Sequence, residues 1–154
     1  MTVKEYLSRA LEIKKKIKLL YQRIAELRAL ESSVPGVNYD QEVVDRTRSL
    51  EAPFVKYIFK RIETEEIVKA EEAKLVEVKK EIASTISEVE SPVHQQLLRL
   101  RYLDFETWSD ISGIMGYTKD NVYKLHRQAL EKIILWVKYG YTILLSRNHK
   151  SSML

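Results

Sequence analysis

Residues 97–133 read LLRLRYLDFETWSDISGIMGYTKDNVYKLHRQALEKI, and this stretch decides the predicted fold. Its apolar residues recur every three or four positions in three successive runs, which predicts three helices. Thr107 and Thr118 each precede one of the runs and can cap a helix, while Gly116 suits the positive φ that often ends one. The stretch therefore predicts a short helix followed by two more helices that a tight turn joins.

The same pattern sets the limits and the inner faces of these helices. The first is expected over 92–103, with Ser91 as its cap and Pro92 in its first turn. The predicted buried positions are Trp108, Ile111 and Met115 on the second helix, and Val122, Leu125, Ala129 and Ile133 on the third. Tyr117, in the turn, is expected to pack between these two helices. Beyond Ile133 the helix is expected to continue to Gly140.

Two long amphipathic helices precede this stretch. The first opens with Thr2 and Glu5 at capping-box spacing. Its apolar residues follow a heptad pattern: Tyr6, Ala10, Ile13, Ile17, Leu20, Ile24 and Leu27. The second is expected over 53–90, with a weaker seam: Phe54, Ile58, Ile62, Leu75, Ile82, Ile86 and Val89. The pattern predicts an antiparallel, coiled-coil-like hairpin, and because neither helix buries much alone, a homo-oligomer is expected.

The expected fold class is therefore all-α, in three parts. Residues 1–90 form the helical hairpin and oligomerisation region, 91–139 form the domain that contains the short helices, and 140–154 form a C-terminal extension. The stretch 32–38, with its Pro-Gly pair, ends the first helix, and 40–50 could be either a short helix or a loop.

Composition excludes several classes of protein. The 154 residues contain no Cys, so thiolate metal sites and disulfides are excluded and a cytoplasmic protein is expected. The N-terminus does not resemble a signal peptide, and the apolar run 133–145 is far short of the roughly 20 residues that span a bilayer. Acidic and basic residues balance up to Glu90, so the net charge of +4 falls entirely within 91–154. An excess of positive charge there favours a polyanionic partner.

The residues also argue against an enzyme, a metal site or a cofactor site. His94, His126 and His149 are widely spaced, and there is no glycine-rich phosphate loop or nucleophile elbow. The chain is therefore expected to be a non-enzyme with no catalytic residue, no metal and no cofactor. One acidic group is interpreted as a solvated helix face, because Lys residues are interspersed: Glu63, Glu65, Glu66, Glu71 and Glu72.

The outward face of the third short helix carries side chains that suit DNA. At 100° per residue, the positions opposite the predicted buried stripe combine amides, cations, a carboxylate and a phenol. These groups suit base edges and phosphates in the major groove. The candidate DNA-binding residues are Lys119, Asp120, Asn121, Tyr123, Lys124, Arg127 and Gln128.

This stretch resembles region 4 of sigma-70-type factors, a DNA-binding helix-turn-helix domain. In that family a helix ending in an L-R-L-R-Y type string precedes a second helix of pattern S-x-x-x-V-x-x-h-x-x-x-A-L-x-x-h, where h is apolar. Here those places hold Thr118, Val122, Leu125, Ala129, Leu130 and Ile133. The resemblance implies base readers at Lys119, Asp120, Tyr123 and Lys124, with Arg127 as a phosphate or base contact. Tyr123 and Lys124 stand where the family usually has Arg or Gln, so the promoter motif need not be the family's usual one.

The whole chain resembles the small ArpU-type late-transcription regulators of phages and prophages. The features that carry this resemblance are the long helical N-terminus, the MGYT turn at 115–118 and the Y-x-L-H-x-x-A-L pattern at 123–130. No sigma region 2 is recognisable, so a complete sigma factor is not implied. The resemblance implies an activator of late genes in a bacterial host cell that binds double-stranded DNA, and it admits contact with host RNA polymerase.

Two other functions suit the same sequence. A small-terminase-like DNA-packaging recognition protein also joins a helix-turn-helix to helical oligomerisation segments. A helical adaptor or assembly protein would use the hairpin to bind a partner.

Overall fold

In a computed structural model of the chain, residues 2–33 and 53–133 are described, and all of the regular secondary structure among them is helical, with no strand. The prediction of an all-α protein is therefore confirmed. The helices are α1 (Val3–Ser33), α2 (Pro53–Ser87), α3 (Pro92–Tyr102), α4 (Trp108–Met115) and α5 (Lys119–Lys132). No helix in the described ranges is long and apolar enough to cross a membrane.

The described residues form two compact units. The first unit contains 2–12 and 76–133, which include α3, α4 and α5, and the second contains 13–33 and 53–75. The sequence predicts a domain boundary between residues 90 and 91, with the helical hairpin before it and the three short helices after it. This boundary stays a prediction. The expectations for 34–52 and for the extension 140–154 lie outside the described residues.

The start of α1 has the predicted capping box. The backbone N–H of Thr2 donates to the Glu5 carboxylate at 2.6 Å, and the Glu5 N–H donates to the Thr2 hydroxyl at 3.2 Å. Each bond satisfies an N–H group that has no partner within the helix. In the first unit, the Tyr6 hydroxyl lies 3.1 Å from that of Thr85, and Arg9 pairs with Glu81 at 2.7 Å.

The heptad seam predicted for α1 is buried at every position except Leu20, which is partly exposed. The pattern missed Leu7, whose side chain is completely buried in the first unit. A strict heptad marks one residue in each turn, and Leu7 lies beside the marked Tyr6. The buried face of α1 is therefore wider at its start than a two-helix seam requires.

The seam predicted for α2 is confirmed at Ile82, Ile86 and Val89, which are buried in the first unit. It is wrong at Phe54 and Ile62, which are 38% and 46% exposed in the second unit. Arg61 contacts Glu31 of α1 there, and the apolar residue that this part of α2 buries is Val68, which the predicted seam missed. The spacing rule follows apolar residues, so at these two positions it selected exposed side chains.

Ion pairs join α1 and α2 in the second unit. Arg61 donates to Glu31 of α1 at 2.7 Å and to Glu65 of its own helix at 2.9 Å, and Lys16 of α1 pairs with Glu71 of α2 at 2.5 Å. The Arg61 guanidinium lowers the pKa of Glu65. Part of the acidic group on α2 thus neutralises cations rather than forming only a solvated face. No group of three or more His, Cys, Asp or Glu in the described ranges could hold a metal.

The connection from α2 to α3 is fixed by side chains that bind backbone. α2 ends at Ser87, three residues before the predicted limit. Ser91 caps α3, Pro92 occupies its first turn, and the Gln95 amide donates to the Val89 carbonyl at 2.5 Å. The Ser91 hydroxyl satisfies the N–H of His94 at the start of α3, and the Gln95 amide satisfies a carbonyl just after the end of α2.

The three short helices share one apolar core. Leu97 of α3, Ile111 of α4 and Val122 of α5 are completely buried against one another. The partly buried side chains around this cluster are Leu100, Trp108, Met115 and Leu125. Each helix supplies one central residue, so the loss of any one helix would expose the central residues of the other two.

The turn between α4 and α5 has the predicted capping residues. Thr107 and Thr118 each accept a hydrogen bond from the backbone N–H three residues later, and Gly116 has a φ of 71°. The predicted packing of Tyr117 between the two helices is wrong, because its side chain is exposed. The Ser112 hydroxyl instead donates to the Tyr117 carbonyl at 2.5 Å, so the backbone, not the ring, ties the turn to α4.

The predicted continuation of α5 beyond Ile133 is wrong at Ile133 itself. This residue is extended, with φ −83° and ψ 125°, and its side chain is buried. Ile133 and Ile134 are both β-branched, and such residues favour extended backbone more than other apolar residues do. The positions predicted to continue the helix to Gly140 lie outside the described residues.

Replacing Ile111 by Ala is expected to lower the free energy of unfolding by roughly 2–5 kcal/mol, because it leaves a cavity in the core that the three helices share. Ile114→Ala on the same helix is the matched control, since Ile114 is 54% exposed and the loss there should stay within about 0.5 kcal/mol. Urea unfolding of the two variants measures the difference. Equal losses would contradict the position of the core.

Gly116→Ala is expected to destabilise the protein by about 1–2 kcal/mol, because an L residue at φ 71° is strained. The strain is the only cost, since a Cβ at this position meets nothing within 4 Å. Gly113→Ala, within α4, also meets nothing and should stabilise by up to about 1 kcal/mol. Thermal unfolding checks the opposite signs, and a loss in both variants would contradict the turn geometry.

Candidate nucleic-acid interface

The predicted DNA-binding residues lie together on the exposed side of α5. All of them are solvent-exposed: Lys119, Asp120, Asn121, Tyr123, Lys124, Arg127 and Gln128. The opposite side of the helix is held by Val122, His126 and Ala129, which are buried. We call the exposed set the α5 face. At 1.5 Å per residue the helix is about 21 Å long, so this face is a single continuous surface.

The cations of the α5 face are available to a ligand. Within the described ranges, no carboxylate lies within ion-pair distance of Lys119, Lys124 or Arg127, whereas many other cations of the chain are paired. Asp120 is the only acidic residue on the face and lies in the first turn, where it complements the helix dipole. The face therefore has a net positive charge.

Trp108 is the centre of an aromatic group behind the α5 face. Its ring centroid lies 5.2 Å from that of Tyr123 and 4.8 Å from that of His126, both edge-to-face. The Arg101 guanidinium lies over the indole ring, 4.3 Å from the centroid. Trp108 thus connects the end of α3 and the start of α4 to two side chains of α5.

His126 is the one buried polar residue among those described, and it pairs with Tyr102. The Tyr102 hydroxyl lies 2.7 Å from His126 Nε2, and the two rings are stacked at 5.8 Å. Burial, together with the charges of Lys4 and Arg101, lowers the pKa of His126 to about 4. Burial also raises the pKa of Tyr102 to about 12. Both groups are therefore neutral at pH 7.

The sequence pattern did not predict that His126 is buried, and it did not indicate a role for Arg101. The spacing does contain a signal for His126, which lies four residues after Val122 and three before Ala129 on the same helix face. Because His is counted as polar, the periodicity rule passed over it. The stacking of Arg101 on Trp108 joins residues of two different helices, and no local pattern indicates it.

No family model matches the chain, and neither a curated protein nor a solved structure does. The assignment of a function thus depends on the residues of the α5 face and on the motif that carries the sequence resemblance.

The pKa of His126 leads to a prediction about stability at acid pH. The folded-state pKa of about 4 lies below the ordinary 6.5, so the unfolded chain binds a proton first as the pH falls. The contribution of neutral His126 is complete above pH 6.5 and is lost between pH 6.5 and 4, at up to about 1.4 kcal/mol per pH unit.

Urea unfolding of the wild type and of His126→Gln, measured from pH 7.5 to pH 4, tests this prediction. Gln does not titrate, so the free-energy difference between the two proteins should change across that window and stay constant above it. Curves that remain parallel down to pH 4 would show that His126 is not buried in its neutral form.

Proposed function

We propose that the chain is a sequence-specific DNA-binding transcription regulator that reads the major groove with α5. The observation that carries the proposal is the α5 face. It is a continuous exposed surface of amides, cations and a phenol on a helix whose other side is fixed in a core. A structural helix would more often expose simple pairs of Glu and Lys, as the outer side of α2 does with Glu66 and Lys69.

The shape of the segment supports the same function. α4, the turn at Gly116 and α5 have the order of a helix-turn-helix, and the major groove is about 12 Å wide, enough to admit one helix. The turn precedes Lys119, Asp120 and Asn121, so the first turn of α5 would enter the groove. The completely buried Ala129 suits close approach between the helices.

Some side chains of the α5 face suit DNA bases, and others suit either bases or the phosphates of the DNA backbone. Asn121 and Gln128 carry amides, which pair well with adenine, and Asp120 can accept from the amino group of cytosine. Lys119, Lys124 and Arg127 can bind guanine or phosphate. The motif shared with sigma region 4 assigns the base contacts to Lys119, Asp120, Tyr123 and Lys124.

The resemblance to ArpU-type regulators supports a more specific proposal. The protein would activate late genes of a phage or prophage in the cytoplasm of the bacterial host, and the resemblance admits contact with the host RNA polymerase. We also propose that it acts as a homo-oligomer through the α1–α2 hairpin. Large apolar side chains exposed in the second unit support this, namely Leu19, Phe59, Ile62 and Ile67, because a second chain would cover them.

Lys124→Ala and Arg127→Ala are each expected to weaken binding to the preferred DNA about tenfold, because each removes from the α5 face a cation that no carboxylate in the described ranges pairs. The preferred DNA is first selected from a random library with the wild-type protein. The slope of log affinity against log salt should also fall by about one for each phosphate that the variant no longer binds. Fluorescence anisotropy at several salt concentrations measures both effects.

Lys14→Ala is the matched control, because it removes the same charge from an exposed position on α1. Its affinity should stay within about twofold of the wild type, in proportion to a small change in net charge. If the selection enriches no sequence, or if all three variants weaken binding equally, then α5 does not read DNA and the proposal fails.

A further inference from the structure

Tyr123 differs from the other residues of the α5 face because it is the only aromatic one. Its side chain is 42% exposed, and the covered part of the ring packs edge-to-face on Trp108 at 5.2 Å, with an angle of 61° between the planes. Along α5, Lys119 and Arg127 lie four residues before and after it, so Tyr123 lies between two cations, on the side of the face that borders Trp108.

Trp108 is itself held on several sides. His126 packs edge-to-face on the indole at 4.8 Å, and the guanidinium of Arg101 lies over the ring at 4.3 Å. Arg101 is fixed in turn, because it donates to the Glu106 carbonyl at 2.8 Å. A tyrosine that packs on such a fixed surface has few rotamers open to it, which lowers the entropy that it loses when it contacts a ligand.

The chemistry of the major groove limits what an apolar ring can recognise there. The edges of adenine, guanine and cytosine present donors and acceptors, and thymine alone presents a methyl group, at C5. From this we infer that Tyr123 reads the 5-methyl group of a thymine and that Trp108 is the positioning residue that aims it. This inference depends on the proposed function, since it specifies what one residue of the same interface recognises.

Replacement of thymine by deoxyuridine tests this contact, because the two bases differ only by the methyl group. Each thymine of the DNA selected by the wild-type protein is replaced in turn, and the affinity is measured by fluorescence anisotropy. At one thymine of the site, or at its symmetry mate, the replacement should weaken wild-type binding about fourfold, as the removal of one buried methyl group predicts. Elsewhere the effect should be smaller than about twofold.

Substitutions of Tyr123 assign the effect to this side chain. Tyr123→Ser should bind the thymine and deoxyuridine sites equally, whereas Tyr123→Phe should keep the fourfold difference because the ring remains. Tyr21→Ser is the matched control: Tyr21 is an exposed tyrosine of the second unit, and the variant should discriminate as the wild type does.

Substitutions of Trp108 test its positioning role. Trp108→Leu keeps an apolar side chain at the edge of the core but offers Tyr123 no aromatic surface, so the discrimination should fall below about twofold. Trp108→Phe should restore most of it. A purely structural role would lower stability, and with it affinity for both DNA sites alike, without changing the thymine-to-deoxyuridine ratio.

The outcomes separate this inference from the proposed function. If a site is selected but no deoxyuridine replacement matters, or if Tyr123→Ser discriminates as the wild type does, the contact with thymine is overturned while DNA binding stands. If Trp108→Leu keeps the full fourfold difference, the positioning role is overturned. If no DNA sequence is selected at all, the proposed function fails and the inference fails with it.

Discussion

The mutual burial of Leu97, Ile111 and Val122 is the constraint on which the rest of the first unit depends. The helices that supply these residues are 11, 8 and 14 residues long. Helices this short are at best marginal in water on their own, so their stability comes from the surface that they bury together. That burial also decides which side of α5 faces outward, and thereby fixes the composition of the α5 face.

Around this core, polar and aromatic groups set the finer geometry. The Tyr102–His126 hydrogen bond places two polar atoms in a buried position, where each satisfies the other. Trp108 fills the space between α3 and α5 and contacts both Arg101 and Tyr123. An exposed side chain of the candidate interface is thus connected to the interior through three aromatic rings and a guanidinium group.

The long helices show a different balance of forces. In the first unit, α1 and α2 bury apolar residues such as Leu7 and Ile82, whereas in the second unit ion pairs such as Arg61–Glu31 replace part of that contact. Ion pairs that are partly buried, as this one is, add little net stability, because the cost of removing the charges from water offsets much of their attraction. The apolar side chains left exposed there, such as Phe59, are the physical reason to expect a second chain.

The sequence by itself determined the class of fold, the limits of α4, the caps at Thr107 and Thr118, and the set of residues on the α5 face. These features follow from interactions within a few residues, which periodicity and capping rules describe directly. Only the tertiary structure decided that His126 is a buried partner of Tyr102, that Arg101 stacks on Trp108, that charged residues occupy the α1–α2 contact in the second unit, and that Tyr117 is exposed. Each of these features depends on which residue of another helix lies opposite, and the spacing of residues along one helix does not indicate that.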